Sequence, residues 1–141
     1  MQKIIDKTYY AAIYLRLSKE DGDTSSGEKK ESNSIANQRK LIEDYLNKHP
    51  EITFVQEFCD DGYTGANFDR PDFQRMMEQV KQRKINCIIV KDLSRFGRDY
   101  IDSGKYIEKI FPSLGIRFIA INDNYDSVQS NQAGNEIILP F

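Results

Sequence analysis

The feature that most constrains this chain is a short uncharged run, Cys87-Ile88-Ile89-Val90, which gives way to Lys91-Asp92-Leu93-Ser94-Arg95-Phe96-Gly97-Arg98-Asp99. Four apolar residues rich in β-branching are too few for a domain helix and fit a strand buried on both faces. Such a strand belongs in the middle of a sheet. In open α/β sheets, ligands sit where the strands exit at their carboxyl ends, and here two arginines three residues apart stand at that exit. A guanidinium keeps its charge at neutral pH and meets phosphate through a two-pronged donor geometry. Arg95 and Arg98 are therefore a candidate phosphate clamp.

Hydrophobic spacing organises the rest of the chain around this strand. Residues 8–17, 52–58 and 116–121 suit pleated surfaces, the first through Tyr9, Tyr10, Ile13, Tyr14 and Leu15. Ser34 is placed to cap a helix over 34–48 whose stripe is Ile35, Leu41, Ile42, Tyr45 and Leu46. Pro71 suits the first position of a second helix, with Phe73, Met76, Met77 and Val80 on one face. A third is predicted over 100–114, carrying Tyr106, Ile107, Ile110 and Phe111 inward, with Pro112 in its last turn and Gly115 ending it. Residues 19–33, 60–65 and 122–126 are rich in turn formers and predict loops. The alternation predicts an α/β fold: a mostly parallel sheet of four or five strands with helices on both faces.

A length of 141 residues predicts a single domain spanning 1–141, with 1–8 and 127–141 as flanking segments. The apolar run Ile137-Ile138-Leu139-Pro140-Phe141 has no polar cap, so the chain is expected to be a fragment of a longer protein. No apolar stretch approaches a membrane span or a secretory signal, which makes a cytoplasmic setting the expectation. The formal charge of -2 argues against a broadly basic nucleic-acid binder, so any DNA contact must be local. Cys59 and Cys87 lack metal-ligand spacing and read as structural thiols, and His49, before Pro50, reads as a surface residue. Glycine-rich phosphate loops, His-Glu-x-x-His and paired-cysteine motifs are absent, so neither a cofactor nor a metal is expected.

What remains is one hydroxyl and a set of arginines. Arg16 and Ser18 share a face if the first strand persists that far. Arg70 stands at a helix entrance, where backbone donors favour anions, although an arginine there is more often solvent-exposed. Gln38 falls on the buried stripe of the first helix and needs partners if it is buried there; on spacing alone it is as well placed to face water. A serine oxygen attacking a phosphodiester builds charge on the non-bridging oxygens, which fixed cations stabilise. A competing reading is metal-assisted phosphotransfer by a receiver-like domain through Asp60, Asp61 and Asp92, although Asp60 and Asp61 fit a solvated turn better. A third is an inactive regulatory module that keeps the fold.

Taken together, Tyr14-Leu15-Arg16-Leu17-Ser18, Asn37-Gln38-Arg39, Asp60-Asp61-Gly62-Tyr63-Thr64-Gly65 with Asp69-Arg70-Pro71, and Asp92-Leu93-Ser94-Arg95-Phe96-Gly97-Arg98-Asp99 resemble the catalytic domain of serine site-specific recombinases. The likeness runs from Tyr9 to Asp126 and is greatest to the large transposon- or phage-encoded serine integrases. It implies a resolvase-like fold and DNA strand exchange for integration, excision or transposition of a mobile element. It assigns Ser18 as the nucleophile that forms a 5′-phosphoserine bond, Arg16, Arg70, Arg95 and Arg98 as phosphate-binding residues, and Gln38 as a residue that orders the site. It also implies double-stranded DNA as partner, self-association into dimers and tetramers in the full-length protein, and no cofactor. A fragment lacking the oligomerisation helix and DNA-binding domains is then expected to be inactive by itself. One departure from smaller relatives is Ser94, where many carry an aspartate.

Overall fold

The computed structural model describes residues 8–18, 27–63, 70–97 and 100–128. The elements are β1 (Tyr9–Ser18), α1 (Gly27–Asn47), β2 (Ile52–Tyr63), α2 (Pro71–Lys81), β3 (Cys87–Val90), α3 (Leu93–Phe96), α4 (Tyr100–Lys105), a wide π turn (Tyr106–Ile110), α5 (Phe111–Leu114), β4 (Arg117–Ala120), a 3-10 turn (Ile121–Asp123) and β5 (Tyr125–Asp126). The sheet order is β2-β1-β3-β4-β5, parallel except for β5. The fold class expected from the alternation is thus the one found, with β3 in the centre and buried along its whole length.

Residue parity divides the core into two layers. Ala11, Ile13, Leu15, Cys87, Ile89 and Ile119 face α1 and pack on Ile42, Tyr45 and Leu46. Ala12, Tyr14, Ile88, Val90, Phe118 and Ala120 face the other way, toward Phe73, Met76, Met77 and Val80 of α2 and toward Phe96, Ile107 and Phe111. Phe96 lies within this second layer, its ring centroid 4.9 Å from that of Phe118, 5.7 Å from Phe111 and 5.9 Å from Phe73. Edge-to-face packing of this kind fixes ring orientation as well as burying area. The short turn that carries Arg95 is therefore anchored by the residue next to it.

Three loop expectations are corrected. Residues 60–63 continue β2, because the parallel ladder with β1 persists to Ser18↔Tyr63 by absorbing an irregularity at Leu17/Ser18; tertiary pairing overrides the turn preference of Asp-Asp-Gly. α1 begins at Gly27, so Ser34 lies inside the helix and not at its cap. Glu28-Lys29-Lys30-Glu31 are helix formers with no apolar period, and periodicity reveals only a face that packs on a core. The Asn/Asp-rich stretch at 122–126 contains a 3-10 turn and β5. It is held by a buried pair that sequence reading missed: Arg117 donates through Nε and Nη2 to both oxygens of Asp126, at 3.1 and 2.7 Å. Residues 19–26 and 64–69, and the flanks at 1–7 and 129–141, lie outside the described residues.

The helix over 100–114 forms as expected, but with a π widening ahead of Pro112. Proline has no N–H to give to Glu108 and its ring crowds that carbonyl, and the Phe111 N–H bonds instead to the Tyr106 carbonyl five residues back. Gly115 ends the helix in the left-handed region, φ 72°. Among the described residues, no helix is long and apolar enough to cross a membrane.

Candidate active site at the carboxyl edge of the sheet

The site is built where β1 outruns β3. Pairing of β1 with β3 stops at Ile13↔Ile89, whereas β1 continues to Ser18. Tyr10 turns its N–H and C=O toward the β3 side, where both meet Asn86. By the alternation of a strand, Arg16 turns its own the same way, past the point where β3 has ended. Gln38 takes the place of the missing strand. Its Oε1 accepts the Arg16 N–H at 3.4 Å and its Nε2 donates to the Arg16 carbonyl at 3.1 Å. The fully buried glutamine thus completes the ladder with a side-chain amide, and the water-facing alternative is excluded. We expect Gln38→Ala to take one partner from each of these backbone groups, leaving the Arg16 carbonyl to the longer bond from Arg95, and to destabilise the domain by about 1–3 kcal/mol, measurable as a lower urea midpoint with an unchanged slope.

The next layer is the α3 turn. Asp92 caps it by accepting the Arg95 N–H at 3.0 Å, and takes the Ser94 hydroxyl at 2.7 Å through the same Oδ1. A helix of one turn leaves its last carbonyls without helical partners, and here guanidiniums from elsewhere in the chain satisfy three in succession. Arg16 donates to the Ser94 carbonyl through Nη2 at 2.7 Å and to the Arg95 carbonyl through Nε at 3.2 Å. Arg70 donates to the Phe96 carbonyl through Nη2 at 2.9 Å. Arg95 returns the contact, its Nη1 donating to the Arg16 carbonyl at 3.3 Å. With an aspartate absent at 94, the Arg95 guanidinium leans on a backbone oxygen of β1.

Behind the turn lies a network that sequence reading did not assign to the site. The Tyr14 hydroxyl donates to Asp60 Oδ2 at 2.8 Å and accepts from Arg70 Nη1 at 3.0 Å. Asp60 also accepts the N–H groups of Asp72 and Phe73, each at 3.0 Å, at the start of α2. Asp60 is thus buried and caps a helix from outside its own sequence; the solvated-turn reading fails because β2 carries it into the core. The solvent-exposed alternative for Arg70 fails as well, since the side chain is 0% exposed. Burial lowers the Arg70 pKa against the opposing pull of Tyr14 and Asp60, and burial likewise pushes the Tyr14 phenol well above its ordinary value. The network therefore holds a neutral phenol between a carboxylate and a guanidinium. A signal existed in the sequence: Tyr14 has the strand parity of Arg16, two residues before it.

Of the residues singled out from sequence, Arg16, Gln38, Arg70 and Arg95 are brought together across four separate elements. Arg16 and Arg70 are fully buried and Arg95 is half-buried. The backbone of Ser18 ends the strand that carries Arg16; the Ser18 side chain and Arg98 lie outside the described residues. The carboxylates of the metal-assisted reading are committed to other donors: Asp60 to the start of α2 and to Tyr14, and Asp92 to α3. The Asp61 side chain is outside the described set. Cys87, its thiol pushed up by burial to about 12, is a buried core residue and no nucleophile.

The five-stranded sheet of this order, with its arginine-clamped turn at the carboxyl edge, matches known catalytic domains in fold. The same fold is seen in the N-terminal catalytic domain of TP901-1 integrase (TM-score 0.73, 22% identity, 88% of this chain and 85% of that one). It is seen also in a resolvase family site-specific recombinase from Streptococcus pneumoniae (0.69, 26%, 89% and 80%), and in the C-terminal catalytic domain of ISC1926 TnpA, an IS607-like serine recombinase (0.62, 20%, 79% and 69%). No functionally curated protein matches the sequence. The family described as the N-terminal domain of resolvase matches residues 11–139, and the chain belongs to it. Its members are enzymes that cut and rejoin DNA.

Proposed function

We propose that this domain breaks and rejoins DNA at specific sites through Ser18, in the service of a mobile element. The Ser18 oxygen attacks the scissile phosphorus; a serine–phosphorus bond forms, the bond to the 3′ oxygen breaks, and that oxygen leaves as a hydroxyl after taking a proton. The 5′-phosphoserine keeps the energy of the broken ester, so a 3′ hydroxyl from another end reverses the step without ATP. Arg95 and Arg98 meet the non-bridging oxygens of that phosphate. Arg16 and Arg70 supply positive charge from behind the α3 turn and hold it in place, and Gln38 positions the strand end that leads to Ser18. Double-stranded DNA is the substrate, dimers and tetramers the working assemblies, and the cytoplasm the setting. The reading includes no metal or other cofactor, and it places residues 1–141 as the catalytic part of a longer recombinase.

The observation that supports this most is the reciprocal lock between Arg16 and the α3 turn, with Ser18 two residues beyond Arg16 on the same strand. It joins the hydroxyl-bearing strand to the turn that carries the partly exposed cation, so both approach one phosphate as a unit. In a recombinase containing this domain, incubation with nicked suicide DNA should give a covalent adduct that mass spectrometry maps to a phosphorylated Ser18. Arg95→Ala should slow single-turnover cleavage about a hundredfold or more, because it meets charge that grows in the transition state, while DNA affinity drops only a few-fold. Equal losses in cleavage and affinity would reduce Arg95 to an anchor.

A further inference from the structure

At the opposite, amino-terminal edge of the sheet lies a groove of about 410 Å³ between the end of α2, the turn into β3, and the end of α5. Buried Val80, Ile85 and Ile116 give it an aliphatic floor, Asn86 and Ser113 add polar groups to the lining, and one wall is Leu114, a large apolar residue left 48% exposed. Its rim is cationic, through Lys81 and Arg83, with Lys84 next in sequence; among the described residues none of the three has an acidic partner. Three cations in four residues stand out in a chain of net charge -2.

The backbone gives a second, independent pointer. α2 closes with Lys84 N–H bonded to the Gln79 carbonyl and Arg83 N–H to the Val80 carbonyl, each at 3.0 Å. This is the paired closure in which the residue after the cap adopts the left-handed conformation that glycine takes at least cost. Here that residue is Arg83, at φ 64°. Lys81, in the last turn, complements the helix dipole. Nothing in the fold calls for an arginine at the strained position, and strain kept where a smaller residue would relieve it points to use of the side chain.

From the aliphatic floor, the exposed Leu114 and the unanswered charge of the rim, we propose that this groove docks a short acidic segment of a partner protein. An aliphatic or aromatic side chain of that segment would seat against Leu114, Ile85 and Ile116, and its carboxylates would meet Lys81 and Arg83. A DNA backbone would use the cations but has no use for the apolar floor. The groove also precedes β3, whereas Arg95 follows it, so an occupant would leave the DNA-facing edge open. The inference is independent of the assignment of Ser18.

A random library of displayed 12-residue peptides, selected on the intact 141-residue chain, tests it. Enriched peptides should combine acidic residues with an aliphatic or aromatic anchor, and Leu114→Gln should weaken them at least tenfold. Arg83→Gly should weaken them to a similar degree while raising the thermal midpoint, since glycine relieves the left-handed backbone. This opposite movement of stability and binding distinguishes use of the side chain from a folding defect. The proposal is overturned by the absence of any enrichment, by peptides indifferent to both substitutions, or by a short duplex DNA bound with the same sensitivity to Leu114→Gln.

Discussion

Replacing Ser18 with alanine in a recombinase that carries this domain will abolish the protein–DNA adduct and reduce single-turnover cleavage by roughly four to six orders of magnitude, as removal of other serine nucleophiles does. The size of the loss follows from the role proposed for the oxygen. Without it no covalent intermediate holds the cut end, and water would have to attack a phosphodiester in a site arranged for an oxygen of the chain itself. DNA affinity should stay within a few-fold of the unmodified protein, because binding draws on phosphate contacts that a single methyl substitution does not touch. The decisive measurement is denaturing electrophoresis of suicide-substrate reactions alongside gel-shift titrations of the same preparations. An adduct that survives Ser18→Ala would place the nucleophile elsewhere and leave the Arg16 to α3 lock without its proposed purpose.

How much of this was legible in the chain depended on how the information was encoded. The start and the buried face of α2 were readable because Phe73, Met76, Met77 and Val80 repeat with the period of a helix and Pro71 marks its first position, and all four side chains are buried as that spacing required. β3 was readable because a strand covered on both faces has nowhere to put a charge. The first turns of α1 were not, since helix-forming charged residues carry propensity without period. β2 beyond Phe58 was hidden for a different reason: its extension is dictated by pairing with β1, and a ladder between distant segments leaves no mark in local composition. The site behaved likewise. Its arginines could be counted from sequence, but that Arg16 and Arg70 would spend donors on three consecutive carbonyls of one turn depends on which segments meet. Tyr14 and Asp60 were each visible as members of motifs. Their joint role became visible only when β1, β2 and the start of α2 converged.

Arg70→Ala should lower both stability and cleavage, and the pattern across two further substitutions separates the two effects. Arg70 is wholly buried, bonded at once to the Tyr14 hydroxyl and the Phe96 carbonyl. Removing it takes a donor from that carbonyl and the nearby positive charge from buried Asp60, so a cost of about 3–5 kcal/mol is expected, read from chemical denaturation. Cleavage should fall by about a hundredfold, because the positive charge behind the α3 turn and the hold on the turn that carries Arg95 are lost together. Arg70→Lys should recover little of either, because two acceptors in different directions are reached by two nitrogens of one rigid fork, which a single ammonium cannot reproduce. Tyr14→Phe is the complementary change. It keeps the guanidinium and its bond to Phe96 but removes the hydroxyl between Arg70 and Asp60, so it should cost about 1–2 kcal/mol and slow cleavage less than Arg70→Ala does. If Tyr14→Phe instead matches Arg70→Ala in cleavage while costing less stability, the phenol itself takes part in the reaction, and the charge behind the turn is not what Arg70 contributes.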